Sequence, residues 1–238
     1  MKSKADSLYK DGQYLAQNPD WHLEDSPWKA RNVGEILRRN GITPRSLVDI
    51  GCGAGGVLDI LSHKLPNTKL VGYEISPDAS AFWPNLAGRV EYRQADFLKG
   101  HDRYNVLLLL DVFEHVEDYM GFLRRLLDRA DYFIFHIPLD IYFWALLRGQ
   151  PLINRSEIGH LHYFWKASAL ATLQDTGYEM MDFFYTAHAD ARRPDSMRSR
   201  IAKLTRSLLL KVQPDLAVLL LGGFSLMVLA RPAEPRTC

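Results

Sequence analysis

The stretch "LVDIGCGAGGVLDIL", residues 47–61, joins two apolar segments through a loop that contains four glycines. The segment before the loop is short and apolar, as in a buried strand, and the segment after it has helical spacing. Glycines let the backbone turn sharply and approach a ligand without an intervening side chain. Because such loops lie at the carboxyl edge of an open α/β sheet, where ligands bind, the stretch predicts a strand, a binding loop and a helix.

Strand patterns and helical patterns alternate along the rest of the chain. The predicted strands are "SLVDI", "KLVGYEI", "VEYRQAD", "NVLLLLD", "DYFIFHIP", "YEMMDFFYT" and "FSLMVLA". The most apolar stretch, "LAVLLLGGFSLMVLA", is short and interrupted by glycines, so it is predicted as a turn into a buried strand rather than a membrane span. The alternation predicts an α/β fold with a doubly wound, mostly parallel sheet and helices on both faces.

The composition excludes several classes of protein. The 238 residues include 29 basic and 28 acidic side chains, so no global positive field indicates a nucleic-acid partner. Cys52 and Cys238 are the two cysteines, and two thiols do not form a disulfide framework. The expectation is a cytoplasmic protein in a reducing compartment.

The glycine spacing alone does not identify the ligand. Gly51, Gly53 and Gly56 fit the dinucleotide-binding motif, whereas Gly51, Gly53 and Gly55 fit a tighter motif. A strand-to-helix turn without any ligand is also compatible with them. Asp49 distinguishes the ligands, because a carboxylate at the strand end repels a pyrophosphate and attracts an ammonium or sulfonium group. Unless Asp49 only bonds the backbone of its own turn, it favours S-adenosylmethionine, which carries both cations.

Three further acidic residues follow later predicted strands. Glu74 follows "LVGY" at the position where a carboxylate accepts from ribose hydroxyls, which suits NAD as well as S-adenosylmethionine. Asp96 follows "EYRQA" and is able to accept from an adenine amino group, and Asp111 follows "NVLLLL". A single such acid is often a helix cap or a solvated charge. Acids at four successive strand ends indicate a common site.

The chain resembles the class I S-adenosylmethionine-dependent methyltransferases. The resemblance rests on "VDIGCGAGG", "VGYEIS", "YRQADF" and "LLLLDVFEHVED", which span residues 47–118. It implies a seven-stranded sheet whose last strand is antiparallel. It also implies a set of cofactor-binding residues: Asp49, Gly51, Gly53 and Gly55 around the methionine end, Glu74 at the ribose, Asp96 at the adenine, Ile75 and Phe97 on the adenine faces, and Asp111 at the end of the fourth strand.

Two further segments look like the branch of the family that acts on small molecules. These are "DVFEHVED" and "GHLHYFWKASALATLQDTGYE". No asparagine-proline-proline-aromatic motif follows "LLLLD", which disfavours the amino-group methyltransferases of DNA and of protein glutamine. A small-molecule acceptor methylated at oxygen is the expectation. The alternatives are an NAD-linked oxidoreductase and a catalytically silent cofactor-binding module that regulates a partner.

The catalytic candidates are histidines, because a hydroxyl acceptor needs a base whose pKa lies near the working pH. His115 follows the fourth strand, and His160 and His162 follow the fifth, so all three are expected at the active edge. His136 alternates into the fifth strand and is predicted as a core residue. The H-x-H pair lacks nearby cysteines and a clear set of carboxylates, so no metal is predicted.

The segments outside these motifs predict the domain organisation and the partners. Residues 1–45 are predicted as an N-terminal helical segment and 46–238 as the cofactor-binding domain, with a helical insertion near 192–213. The family resemblance implies a lid formed by Trp21, His22 and Trp28, although these side chains are equally suited to anchoring a helix on the sheet. The apolar residues 139–153 are expected to line a pocket for an apolar or lipid-linked acceptor. Residues 197–212 form a basic amphipathic pattern, typical of peripheral membrane contact or of a solvated helix.

Overall fold

The structure is a computed structural model that describes residues 21, 23–83, 88–187, 209–210 and 212–234. Its strands form one seven-stranded sheet in the order β3-β2-β1-β4-β5-β7-β6. The strands are β1 Ser46–Ile50, β2 Lys69–Glu74, β3 Val90–Gln94, β4 Tyr104–Leu110, β5 Ala130–Pro138, β6 Tyr178–Ala187 and β7 Phe224–Pro232. All seven predicted strands are therefore present.

Helices connect most of the strands. They are α1 Ser26–Arg39, α2 Gly56–Lys64, α3 Pro77–Ser80, α4 Tyr119–Leu126, α5 Phe143–Arg148, α6 Gln150–Glu157, α7 Lys166–Asp175 and α8 Pro214–Leu221. Among the described residues, short 3-10 helices cover Leu23–Asp25, Phe97–Lys99 and Phe113–His115. The α3 helix is only four residues long.

The strand pairing confirms the predicted fold class. Strand β1 pairs in parallel with β2 and β4, and β4 pairs in parallel with β5. Strand β7 is antiparallel to both of its neighbours, β5 and β6. The chain thus forms a doubly wound, mostly parallel sheet whose last strand is antiparallel, and the carboxyl ends of β1, β2, β4 and β5 meet at one edge.

The sheet separates two hydrophobic cores because alternate residues of a strand point to opposite faces. Val48 and Ile50 of β1 belong to the core on one face, together with Phe113 and Phe135. Leu47 belongs to the core on the other face, where α1 and α2 pack. Both faces are covered by helices, as the continuous apolar run of β4 predicts.

The N-terminal helix α1 is part of this second core. Val33, Ile36 and Leu37 are buried, and α1 packs against α2, β6 and β7. Helix α1 therefore packs on the sheet, whereas the 3-10 helix Leu23–Asp25 before it contacts α1 and has no buried residues. Residues 1–20 and His22, which complete the predicted N-terminal segment, lie outside the described residues.

The apolar segment 139–153, expected to line a pocket for the acceptor, forms α5 and part of α6. Leu146, Leu147 and Leu152 on these helices are 60%, 65% and 71% exposed. Most of the predicted basic helix at 197–212, and of the insertion near 192–213, lies outside the described residues. Within the part of the chain that the structure describes, no helix combines the length and the apolar character needed to cross a bilayer.

Gly72 in β2 lies where the packing of the sheet leaves no space for a side chain. A Cβ atom there would lie 2.8 Å from Cys52 Sγ and 2.9 Å from both Leu58 Cδ1 and Tyr92 Cδ1. We expect Gly72→Ala to lower the free energy of unfolding by about 1–3 kcal/mol because the core is overpacked. Urea denaturation measures the change.

The matched control for this substitution is Gly34→Ala in α1. Apart from its chain neighbours and the backbone of its own helix, no atom of the described residues lies within 4 Å of a Cβ placed on Gly34, and alanine is the better helix former. This variant should raise the free energy of unfolding by up to about 1 kcal/mol. Equal effects of the two substitutions would contradict the close packing around Gly72.

Candidate functional site

A cavity of about 700 Å³ opens at the carboxyl edge of the sheet. It is lined by the ends of β1, β2, β4 and β5, by the glycine loop after β1, and by residues of α1 and the segment before it. Its volume lies within the usual range for small-molecule sites, about 300–1,000 Å³. The predicted ligand edge of the sheet therefore holds a cavity of suitable size.

The glycine loop has a conformation that favours glycine. Gly51, Gly53 and Gly55 have φ angles of 73°, 52° and 83°, in the left-handed region. Two side chains from outside the loop fix its carbonyl groups: Trp83 Nε1 donates to Gly53 O at 3.0 Å, and the Tyr92 hydroxyl donates to Gly55 O at 2.9 Å. These hydrogen bonds therefore fix the conformation of the loop where it lines the cavity.

Asp49 is buried in the cavity wall at the end of β1. It is 2% exposed, and its Oδ1 atom has no hydrogen-bond partner among the described residues. Burial raises the pKa of Asp49 to about 8, Lys29 opposes the increase, and Glu74 adds to it. A buried carboxyl group in this state destabilises the fold. A cationic ligand in the cavity would supply the missing partner.

Glu74 at the end of β2 organises the backbone beside the glycine loop. Its Oε1 accepts hydrogen bonds from the N–H groups of Ile75 and Ser76 at 2.7 and 2.8 Å, and its Oε2 accepts from Gly53 at 3.0 Å. Burial raises the pKa of Glu74, and these three N–H groups oppose that increase. Oε1 thus accepts two hydrogen bonds, whereas Oε2 accepts one and keeps a lone pair to which a ribose hydroxyl can donate. Ile75 lines the cavity next to Glu74.

Asp111 follows β4 and joins three parts of the site. Its φ of 61° is left-handed, and its carboxylate lies 2.7 Å from Lys29 Nζ and accepts from Nδ1 of His136. Burial alone would raise the pKa of Asp111, but His136 and Lys29 hold it well below its ordinary value. His136 is buried, as predicted, with Nε2 2.9 Å from Thr186 Oγ1 and the Trp28 ring against its edge. The sequence offered no signal for Lys29.

Asp96 and Phe97 do not line the cavity, so the structure gives no support for their predicted contacts with adenine. Asp96 is exposed, and its carboxylate accepts from the N–H group of Leu98, as in a helix cap. The Phe97 ring is buried in the core, 5.0 Å from the Tyr73 ring and 4.6 Å from the guanidinium of Arg129. A residue's position directly after a strand does not show which way its side chain points or how deeply it is buried.

The three histidines predicted as catalytic candidates differ in whether they line the cavity. His115 and His160 line the cavity, with ring centroids 4.9 Å apart. His162 does not line it, because its Nε2 lies 2.9 Å from the carbonyl oxygen of Val116 and its ring packs on Tyr119. Burial and the neighbouring His160 lower the pKa of His115 to about 4.

Two acidic residues that the sequence did not single out surround these histidines. Asp140, after β5, accepts a hydrogen bond from Nδ1 of His160. Glu114 is completely buried, and neither of its carboxylate oxygens has a hydrogen-bond partner among the described residues. Burial and the charge of Asp111 raise the pKa of Glu114 well above its ordinary value. The motif "DVFEHVED" contains Glu114, but its burial is visible only in the fold.

The cavity therefore has two chemically distinct ends. One end carries Asp49, Glu74 and the glycine loop, which suit a ligand with cations and hydroxyl groups. The other end carries His115 and His160, which suit an acceptor that must lose a proton. Trp21 contributes to the wall near Gly53, so aromatic side chains from the predicted lid do reach the cavity.

Comparison with solved structures identifies methyltransferases with the same fold. The plantazolicin methyltransferase BpumL, in complex with a monoazolic desmethylPZN analog and SAH, has a TM-score of 0.61 and 17% identity, over 97% of this chain and 94% of that one. Magnesium protoporphyrin IX methyltransferase from Synechocystis PCC 6803, with bound SAH, has a TM-score of 0.61 and 16% identity, over 96% and 97% of the two chains. At these identities the similarity concerns the fold.

Sequence comparison gives a shorter match. Trans-aconitate 2-methyltransferase from Mycobacterium sp. strain KMS is 32% identical over 65 residues, which are 27% of this chain and 26% of that enzyme. The chain thus spans about a quarter of the length of the curated relatives it matches. A family model described as a methyltransferase domain matches residues 23–182, more than half of the chain. The chain therefore belongs to the methyltransferase domain family.

Proposed function

We propose that this methyltransferase uses S-adenosylmethionine to methylate a small, apolar acceptor at an oxygen atom. The observation that carries the proposal is the buried Asp49 carboxyl group beside the glycine loop, whose Oδ1 has no hydrogen-bond partner among the described residues. The ionised form of that group would repel a dinucleotide pyrophosphate and attract an ammonium or sulfonium group. The NAD-linked alternative is disfavoured by the same observation and by the methyltransferase family match.

The residues of the cavity fit each part of the cofactor. Asp49 and the glycine loop would hold its methionine end, and Lys29 would offer a cation to the methionine carboxylate. Glu74 would accept from the ribose hydroxyls, and Ile75 would contact the adenine. When bound, S-adenosylmethionine supplies a methyl group on a sulfonium whose sulfur leaves as a neutral thioether.

The protein's own contribution is to position the acceptor and to remove its proton. Asp140 accepts from Nδ1 of His160, so this ring presents Nε2 as the atom that takes a proton, as in a histidine–carboxylate pair of hydrolytic enzymes. His115 is a weaker base because its pKa is lowered to about 4. Of the three predicted histidines, His160 therefore has the geometry that best suits proton removal, and His162 has the least suitable.

The apolar nature of the acceptor is supported by the surface next to the cavity. The exposed residues Leu146, Leu147 and Leu152 lie on α5 and α6, and Ile158 and His160, which follow α6, line the cavity. The chain segment 192–211 contains seven basic residues and one acidic residue. An apolar surface and a basic segment in the same chain together suit an anionic membrane, so we propose a lipid-linked acceptor and peripheral membrane contact.

Asp49→Asn should stabilise the fold and weaken cofactor binding. An aspartate whose pKa is about 4 in the unfolded chain and about 8 in the folded protein destabilises the fold above about pH 4, and this cost grows up to about pH 8. Asparagine avoids the cost, so the free energy of unfolding should rise on the order of 1–3 kcal/mol at about pH 8, and less at about pH 5. Urea denaturation at both pH values measures the gain.

The same variant should bind S-adenosylhomocysteine more weakly, as measured by titration calorimetry. A stability gain that is independent of pH would contradict the buried, protonated state of Asp49. Unchanged affinity would contradict its role in holding the cation.

Glu74→Ala should weaken S-adenosylhomocysteine binding by about 1.5–3 kcal/mol, since it removes charge-assisted hydrogen bonds to the ribose. Glu74→Gln should lose less binding free energy because one side-chain oxygen remains as an acceptor. Glu91→Ala on β3, where the side chain is 46% exposed, is the matched control and should bind normally. If Glu74→Ala binds as tightly as the control, the ribose assignment is wrong. A protein that binds the cofactor but turns over no acceptor would favour the catalytically silent module.

The unaltered protein should sediment with vesicles that contain phosphatidylserine at low salt and be released at high salt. Each basic residue near such a surface contributes about 1 kcal/mol to the free energy of membrane binding. Insertion of the apolar side chains into the bilayer surface adds a hydrophobic contribution. Replacing Leu146 and Leu147 with glutamate should abolish sedimentation without changing cofactor affinity. Met181→Glu, at an exposed apolar residue of β6, is the control and should sediment normally. If the unaltered protein stays in the supernatant, the acceptor is water-soluble.

A further inference from the structure

Glu114, His115 and His160 form a compact cluster in which the two histidines line the acceptor end of the cavity and Glu114 is buried beside them. One ligand atom from each residue, a carboxylate oxygen or a ring nitrogen, lies within 4.8 Å of the other two. The cluster joins two separate segments, and the backbone holds them together: the N–H groups of Leu161 and His162 donate to the carbonyl oxygen of Glu114 at 2.9 and 3.1 Å. The fold therefore fixes the relative position of the three side chains.

The buried Glu114 carboxyl group is the first observation that points to a bound cation. It is completely buried, and neither oxygen has a hydrogen-bond partner among the described residues. The nearest cationic candidate is His115, with Nε2 4.0 Å from Glu114 Oε1. Leaving a buried carboxyl group without partners costs about 1–3 kcal/mol or more. A bound cation would remove that cost.

The two histidine rings are oriented for metal binding. His115 Nδ1 lies 3.1 Å from the carbonyl oxygen of Gly159, which can only accept, so Nδ1 carries the hydrogen atom. His160 Nδ1 donates to Asp140, and Asn154 Nδ2 donates to the other oxygen of Asp140 at 3.0 Å. In both rings the lone pair is then on Nε2. Such carbonyl and carboxylate partners on the outer nitrogen are characteristic of metal-binding histidines.

We propose that Glu114, His115 and His160 bind a divalent transition-metal ion, with Zn²⁺ as the ion that suits the ligands best. Two imidazoles and one carboxylate are a known zinc-ligand set, whereas Mg²⁺ and Ca²⁺ require oxygen ligands. Zinc lies about 2.0–2.2 Å from such ligands, so the side chains need to move inward by about an ångström. The sequence disfavoured a metal because it paired His160 with His162. The fold pairs His160 with His115 and Glu114.

This inference rests on the proposed function and refines the acceptor end of the cavity. A metal there would face the cavity through its remaining position and lower the pKa of an acceptor hydroxyl. The hydroxyl proton leaves to water, the oxygen forms the bond to the methyl carbon, and the sulfur–carbon bond breaks with its electron pair staying on sulfur. His160 then acts as a ligand, and Asp140 becomes a positioning residue.

The test uses the full-length protein after treatment with a chelator, titrated with ZnCl₂ by calorimetry and with CoCl₂ by visible absorption. We expect one Zn²⁺ per chain and the absorption bands of a Co²⁺ site with nitrogen ligands. Glu114→Gln and His160→Ala should abolish this binding. Asp140→Asn should weaken it about 10- to 100-fold, since Asp140 touches only the outer nitrogen of a ligand. His162→Ala is the matched control and should bind normally.

Absence of stoichiometric binding overturns the proposal, and so does binding that Glu114→Gln and His160→Ala leave unchanged. Circular dichroism of each variant establishes that it is folded. If Glu114→Gln or His160→Ala fails to fold, the Zn²⁺ titration of Asp140→Asn tests the site instead, and unchanged Zn²⁺ affinity of that variant overturns the proposal. S-Adenosylhomocysteine affinity is measured in parallel. Normal cofactor binding without metal binding overturns only the metal site and leaves His160 as the base, whereas loss of cofactor binding in the unaltered protein overturns the proposed function.

Discussion

The ion pair between Lys29 and Asp111 is the interaction on which the site depends. It joins α1 to the end of β4, and Asp111 extends the connection through His136 to Thr186 on β6. Four elements that are distant in sequence are thus held around one carboxylate in a left-handed backbone conformation. Lys29 also lies near Asp49, so the same cation limits the cost of burying two acids.

Two buried carboxyl groups at the ligand edge of the sheet have oxygen atoms without a hydrogen-bond partner among the described residues. Asp49 lines the cavity at the cofactor end, Glu114 lies beside the histidines of the acceptor end, and burial raises the pKa of both. A fold selected only for stability would replace such groups with apolar side chains. Their position beside a cavity at the ligand edge is typical of a site in which ligands complete the electrostatics.

Local patterns predicted the fold and half of the site. The seven strands, Asp49, Glu74 and the glycine loop were predictable because each follows from short-range composition and spacing. Lys29, Glu114 and Asp140 were not, because their roles arise from contacts between distant segments. The family resemblance implied Phe97 on an adenine face, but the structure has its ring in the core beside Tyr73 and Arg129.

The placement of α1 determines how ligands enter and leave. One side of this helix forms the cavity wall through Trp28 and Lys29, while Val33, Ile36 and Leu37 are buried against the sheet. Swinging the helix outward would expose these apolar residues, at about 1.5–3 kcal/mol each. The 3-10 helix Leu23–Asp25 has no buried residues, so its displacement is far less costly. Cofactor exchange should therefore proceed past Leu23–Asp25 while α1 stays docked, which leaves the Lys29–Asp111 pair intact through the turnover cycle.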